Sequence, residues 1–284
     1  ALIVHQKDPL LAKAFENAGY TNILDQKGEI RDGKGEGMII GTLLGWLAGR
    51  RYIGFIDADN YFPSSVEEYI REYAAGFIMS KSKYTMVRIA WHSKPKVTGS
   101  RLFFPKWGRT SENTNRLLNK LISSYTGYET EIIKTGNAGE HAMTMELARC
   151  LDYSAGYSIE PYHIVNLIEK FGGVIETPFP EVMKDNIEVY QIESRNPHLH
   201  EAGDDSHIEH MSYVAMQVIY HSPICPEDLK REILAEMLKR KFISKDEQPP
   251  RPHRYPPLLS IDTGAFLEDL KSAPYARLIK GKKV

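Results

Sequence analysis

Apolar residues recur at helical spacing from Leu10 to Ala18, directly behind Pro9, and again from Met38 to about Ala48, behind a glycine-rich stretch running from Gly28 to Gly37. Two short apolar runs, Ala1–Val4 and Tyr52–Ile56, have the length and β-branched content of strands. The second of them ends in Asp57, Ala58, Asp59 and Asn60. Pro63 opens a helical pattern reaching about Ser80, and Tyr84–Trp91 reads as a further strand. Lys94 to Arg109, with Pro95, Gly99, Pro105 and Gly108, reads as a loop or hairpin. Helices are expected over Glu112–Ser124, Glu140–Leu151, Pro161–Phe171, Ile208–Tyr220 and Glu227–Lys241, and a strand over Ile187–Ile192. Strands alternating with helices predict an α/β fold with a mostly parallel sheet flanked by helices, whose ligands sit at the carboxyl ends of the strands. The proline-rich run Pro249–Pro257 reads as a linker, and the residues beyond it as an appendage.

Composition narrows the function classes. The 284 residues carry 36 Lys and Arg against 37 Asp and Glu, a formal net charge of −1, which argues against a polybasic nucleic-acid module and against an acidic solvating tail. At 42% hydrophobic the chain can bury a sizeable core. Cys150 and Cys225 lie near no second cysteine at metal-ligand spacing, so a reducing, cytoplasmic setting is the default expectation. No apolar run approaches the ~20 residues of a membrane-spanning helix.

Four features offer chemistry. Asp57 and Asp59 end an apolar strand one residue apart, a spacing that suits a hard divalent cation bridging protein to a diphosphate; the same residues also serve an ordinary acidic turn. Gly28, Gly33 and Lys34 keep the spacing of a phosphate loop, but Gly35 stands where a nucleotide triphosphatase needs Ser or Thr. What survives is a lysine and free N–H groups at a helix start, which favour an anion. Gly108, Arg109, Thr110 and Ser111 precede one helix, and Thr135 to His141 precede another. Either stretch is a cap, or a receptor for a phosphate or carboxylate. Last, His198, His200, His207 and His210 fall within thirteen residues. Extended chain would turn His198 and His200 to one side, as metal ligands, whereas His207 and His210 read as a solvated helix face. No Gly-x-Ser-x-Gly, His-Glu-x-x-His or Cys-x-x-Cys is present.

Six segments in series carry a resemblance: Arg31–Met38, Tyr52–Asn60, Trp107–Glu112, Thr135–Met143, Gly156–Pro161 and Asn196–Glu201. Together they resemble the mannosyl-3-phosphoglycerate synthase family of retaining glycosyltransferases with the GT-A fold. The resemblance implies transfer of mannose from GDP-mannose to 3-phosphoglycerate, within the synthesis of the compatible solute mannosylglycerate. It implies that Lys34, Gly35, Asp57, Ala58 and Asp59 serve the donor, and that Asp59 with His198 or His200 holds the metal. Gly108, Arg109, Thr110 and Ser111 would grip the acceptor phosphate, with Asn137, Ala138 and Gly139 beside it. Asp57 and Glu160 would flank the transferred sugar. The metal would be Mg²⁺, with Mn²⁺, Co²⁺ or Zn²⁺ as alternatives. Neither nucleic acid nor membrane is implied as a partner, and a homodimer through Glu227–Lys241 is compatible with the pattern.

One departure from the family pattern matters. A GT-A domain opens with a strand and an acidic turn that shape the nucleotide-base pocket, and nothing of that kind precedes Ala1. The expectation is a GT-A catalytic part over residues 1–200 lacking its first strand, a C-terminal helical extension and tail over 201–284, and weak binding of GDP-mannose by this polypeptide alone. Rival readings are a glucosyl-3-phosphoglycerate synthase-like enzyme, a sugar-phosphate nucleotidyltransferase and a catalytically silent protein that binds a phosphorylated acid.

Overall fold

The computed structural model describes residues 3–58, 64–91, 96–98, 100–103, 109–195 and 205–273. In chain order its helices and strands are α1 (Pro9–Asn17), α2 (Lys34–Leu47), β1 (Tyr52–Phe55), α3 (Ser65–Met79), β2 (Tyr84–Ala90), a small hairpin of β3 (Lys96–Thr98) and β4 (Arg101–Phe103), α4 (Arg109–Thr126), β5 (His141–Thr144), α5 (Met145–Cys150), β6 (Tyr153–Ser154), α6 (Ile159–Asn166), α7 (Pro180–Lys184), β7 (Ile187–Glu193), α8 (Asp205–Tyr220), α9 (Glu227–Lys239), β8 (Arg254–Tyr255) and α10 (Thr263–Asp269). Local chemistry sets several boundaries. Asp8 accepts a hydrogen bond from Leu10 N at 2.9 Å while Pro9 fills the first turn of α1, and Asp262 accepts from Gly264 N and Ala265 N to start α10.

The central sheet has the order β1-β5-β2-β7. β1, β2 and β7 share one direction. β5 runs against both its neighbours, so β2 with β7 is the parallel pairing and the sheet is mixed. That corrects the mostly parallel expectation, and the cause lies in residues 140–151. Their composition favours a helix, yet His141–Thr144 pairs as a strand between β1 and β2, and the helix begins only at Met145. Placement at the centre of a sheet overrides local propensity there.

Three hydrophobic clusters hold the molecule. The largest gathers α1, α2, one face of the sheet, α5 and the tail. The second joins α4, α6, α8 and α9. The third seats α3 on the other face of β2 through Tyr69, Tyr73, Val87, Ile89 and Ala142. No helix among the described residues is long and apolar enough to cross a membrane.

Two further expectations change. Ile3 and Val4 form no strand, and Ile3 is exposed, while Ala1 and Leu2 lie outside the described residues. The segment beyond Pro249 is no appendage. Tyr255, Leu258, Ile261, Phe266, Leu270 and Ala273 are buried in the largest cluster, where Phe266 meets Phe15 edge-on at 4.9 Å. The Tyr20 hydroxyl donates to Pro256 O at 2.6 Å, and Asp262 N donates to Ala18 O at 3.1 Å. Removing an aromatic side chain from such a contact costs about 3–5 kcal/mol. Phe266→Ala is therefore expected to lower unfolding stability by about that amount in denaturant melts. A change within about 0.5 kcal/mol would mean that the tail is not part of the core.

Candidate functional site

Lys34 is the first residue of α2, which follows Gly33 directly, so the glycine-rich stretch ends four residues earlier than its composition suggests. Asp57 leaves the carboxyl end of β1, and Glu160 lies in the first turn of α6. These three elements converge. The Lys34 ammonium donates to Asp57 Oδ2 at 2.7 Å and to Glu160 Oε1 at 2.7 Å, and Asp57 Oδ1 is also 2.7 Å away. Glu160 is buried, Lys34 nearly so and Asp57 a third exposed, so the cluster is closed at Glu160 and open at Asp57.

Burial alone would lower the Lys34 pKa, but the charges of Glu160 and Asp57 more than offset it and hold the ammonium above the ordinary lysine range. Burial pushes the Glu160 carboxyl up, and Lys34 opposes that shift. Glu160 Oε2 is buried with no hydrogen-bond partner among the described residues.

Gly139 makes room for this cluster: a Cβ there would run into Asp57 Oδ2 and Lys34 Nζ and force the pair to shift. Gly35 serves the packing of α2, since a Cβ there would run into the backbone carbonyl of Ser154, where only glycine lets the two backbones pass. Gly139 closes the stretch Asn137–Gly139, whose residues Asn137 and Ala138 are buried. The stretch is tied to α4 in turn, because Asn115 Oδ1 accepts from Gly136 N at 2.6 Å. Ser111 lies in the first turn of that same helix.

Four residues with no assigned role complete the surroundings. Arg88, in the middle of β2, is fully buried; it donates to Thr135 O at 2.7 Å and to Glu160 O at 2.9 Å, tying the loop before Gly139 to the start of α6. Desolvation pushes its pKa down to about 10, which leaves it charged. With Arg88 counted, two cations balance Asp57 and Glu160. His141 holds Nδ1 3.0 Å from Gly139 O and stacks edge-on against His163 at 5.0 Å. Burial, helped by Arg88 and Lys34, pushes His141 down to about 3, and burial holds His163 well below the ordinary value, so both rings are neutral. Glu36 is buried and accepts from Gly156 N at 3.1 Å and from the Tyr255 hydroxyl, which anchors the start of α2 to the tail. The sequence signal for Arg88 was an arginine inside an apolar strand, a position such residues occupy only when paired. The histidines and Glu36 gave no such signal.

Of the residues expected at the site, the structure brings together Lys34, Asp57, Gly139 and Glu160, with Gly35 and Ala138 adjoining and Ala58 exposed at the edge. Arg109 and Thr110 begin α4. Asp59, Gly108, His198 and His200 lie outside the described residues, so the expected metal ligands and part of the expected acceptor loop do too. His207 and His210 are exposed on α8, their rings edge-on to Tyr157 at 4.7 and 6.1 Å.

Removing the Lys34 charge should leave the buried Glu160 carboxyl with no ion-pair partner in contact among the described residues, Arg88 bonding only to its backbone carbonyl. Lys34→Met is expected to cost about 3–5 kcal/mol at neutral pH. Folded Lys34→Met keeps the Glu160 proton above the ordinary carboxyl value of 4.5, where the unfolded chain has released it. Its stability should therefore fall as pH rises past that value. Adding Glu160→Gln should flatten the profile; a Lys34→Met melt independent of pH between 4 and 8 would contradict the arrangement.

The family model described as mannosyl-3-phosphoglycerate synthase matches residues 1–270. The mannosyl-3-phosphoglycerate synthase of Pyrococcus furiosus is 52% identical over 270 residues, spanning 94% of this chain and 68% of that protein. That of Aeropyrum pernix is 36% identical over 255 residues, spanning 90% of this chain and 65% of that protein. The chain thus spans about two thirds of the length of these relatives. Among solved structures, glucosyl-3-phosphoglycerate synthase from Mycobacterium tuberculosis in complex with phosphoglyceric acid is similar at 17% identity with a TM-score of 0.46, covering 81% of this chain and 67% of that one. The same enzyme with Mn²⁺, uridine diphosphate and phosphoglyceric acid gives 16% identity and a TM-score of 0.45, covering 81% and 66%. On the family match and the two curated relatives, the chain belongs to the mannosyl-3-phosphoglycerate synthase family of glycosyltransferases.

Proposed function

We propose that this chain transfers mannose from GDP-mannose to 3-phosphoglycerate with retention of configuration. The observation that carries the reading is the contact of Gly139 with the Lys34–Asp57 pair. It sets the loop assigned to the acceptor against the two residues assigned to the donor, the proximity that group transfer requires. Lys34 and the N–H groups at the start of α2, Gly35 among them, would hold the donor diphosphate. Asp57 and Ala58 would face the nucleotide ribose or the sugar, and Glu160 would lie beside the sugar. Gly108, Arg109, Thr110 and Ser111 would take the acceptor phosphate, and Asn137, Ala138 and Gly139 would line the acceptor.

A divalent cation fits this chemistry. Asp57 presents carboxylate oxygen at an open strand end, the hard donor such an ion requires. Asp59 with His198 or His200 would hold it, Mg²⁺ first and Mn²⁺, Co²⁺ or Zn²⁺ as alternatives. When bound, the ion supplies positive charge to the departing diphosphate. Lys34 would supply more. Both oxygens of Asp57 and one of Glu160 are engaged by Lys34. That favours a front-face route, in which the leaving phosphate oxygen takes the acceptor hydroxyl proton, over attack by a protein carboxylate. Cys150 and Cys225 are free and buried, which suits a reducing cytoplasm.

The test is release of GDP, with the mannosylated product identified by mass spectrometry, across a panel of donors and acceptors. Turnover is expected with GDP-mannose and 3-phosphoglycerate only when a divalent metal is present. Lys34→Met and Asp59→Ala should each lower kcat/KM about 10²–10³-fold. Turnover of UDP-glucose alone, release of pyrophosphate, or no turnover with any pair would overturn the reading. A trapped mannosyl-protein adduct would overturn the front-face route.

A further inference from the structure

A cavity of about 440 Å³ opens beyond the far end of α6 and is lined by Glu169, Ser222, Lys230, Arg251 and Arg254, with Ile175, Tyr220 and Pro223 as apolar wall and His221 at its side. None of these residues belongs to the Lys34 cluster. Glu169 lies nine residues after Glu160, in the π-helical turn Leu167–Phe171 that continues α6. Three cations thus face the space against one carboxylate.

The lining is incompletely bonded. Arg254 lies with Cζ 4.6 Å over the Tyr162 ring and Nη1 4.0 Å from Glu169 Oε2. Its Nε and Nη2 are buried with no hydrogen-bond partner among the described residues. Glu169 is 1% exposed, and its Oε1 and the Ser222 hydroxyl are buried without hydrogen-bond partners among the described residues. Burial raises the Glu169 carboxyl, opposed by the charge of Arg254. The His221 ring is engaged at Nε2 by Pro249 O at 2.8 Å, and Lys230 donates to Glu227 at 2.8 Å from a half-buried position. Buried donors without partners are rare in folded proteins. A guanidinium matches the two oxygens of a carboxylate or phosphate, and Arg254 is about a quarter exposed along the cavity wall.

We propose that this cavity binds a small oxyanion, a carboxylate or a phosphate ester, through the charge of Arg254, Arg251 and Lys230, which line it together. The site is tied to the rest of the molecule by β8. Successive side chains of a strand point to opposite faces, and here Arg254 faces the cavity while the next residue, Tyr255, donates to Glu36 in the first turn of α2. An anion on Arg254 therefore orders the strand that anchors the Lys34 helix.

The proposal is independent of the donor and acceptor assignments, and its test needs no turnover. Inorganic phosphate and glycerate would each be titrated calorimetrically into the metal-free chain and into Arg254→Gln, Arg251→Gln and Arg109→Gln. The expected result is a saturable site weakened about ten-fold or more by Arg254→Gln, weakened also by Arg251→Gln, and kept in Arg109→Gln. Saturation by phosphate alone assigns phosphate esters, and by glycerate alone, carboxylates. Arg251 is exposed, so Arg251→Gln reports even where Arg254→Gln fails to fold. Absence of saturable binding of either anion, or binding lost in Arg109→Gln and unchanged in Arg251→Gln, would overturn the proposal.

Discussion

The ammonium of Lys34, held between the carboxylates of Asp57 and Glu160, is the interaction on which the arrangement of the site depends. Each partner comes from a different element: the first turn of α2, the carboxyl end of β1 and the first turn of α6. An unpaired charge at the depth of Glu160 is costly, so the three elements are positioned together or the buried carboxylate has no counter-charge. Gly139 passes close enough to the pair that any side chain there would collide with it. The loop that ends at Gly139 is thereby brought onto the same point.

A second layer keeps that point in place. Arg88 joins the carbonyls of Thr135 and Glu160 through one guanidinium, while Glu36 joins the N–H of Gly156 to the Tyr255 hydroxyl. The first link crosses the sheet and the second reaches the C-terminal segment. Because the cluster is balanced in charge, positive potential at the site is local, and the near-zero net charge of the chain is no obstacle to handling phosphates. Anionic substrates would meet Lys34, helix N-termini and a metal, not a basic surface.

Much of this was legible in the sequence where local chemistry decides. Pro9 starts α1 as its position suggests, and the strand ending at Asp57 and the glycines before Lys34 led to residues that meet in space. The misses share one cause, which is tertiary context. His141–Thr144 is helix-like alone and becomes a strand because β1 and β2 flank it. The segment after Pro249 looks polar and broken by prolines, yet its apolar residues are spaced to fill the groove beside α1. Arg88 and His163 carry no motif, and His141 only closes the stretch Thr135–His141; their roles come from burial, which a linear pattern does not display. The six-segment resemblance supplied the link between Lys34 and Glu160, which lie 126 positions apart.

The most direct measurement is a double-mutant cycle on unfolding free energy, comparing Lys34→Met, Glu160→Gln and the combined variant at neutral pH. If Lys34 is the counter-charge of the buried carboxylate, the two substitutions should couple by about 2–5 kcal/mol, with the double variant more stable than Lys34→Met alone. Additivity within about 0.5 kcal/mol would contradict the account.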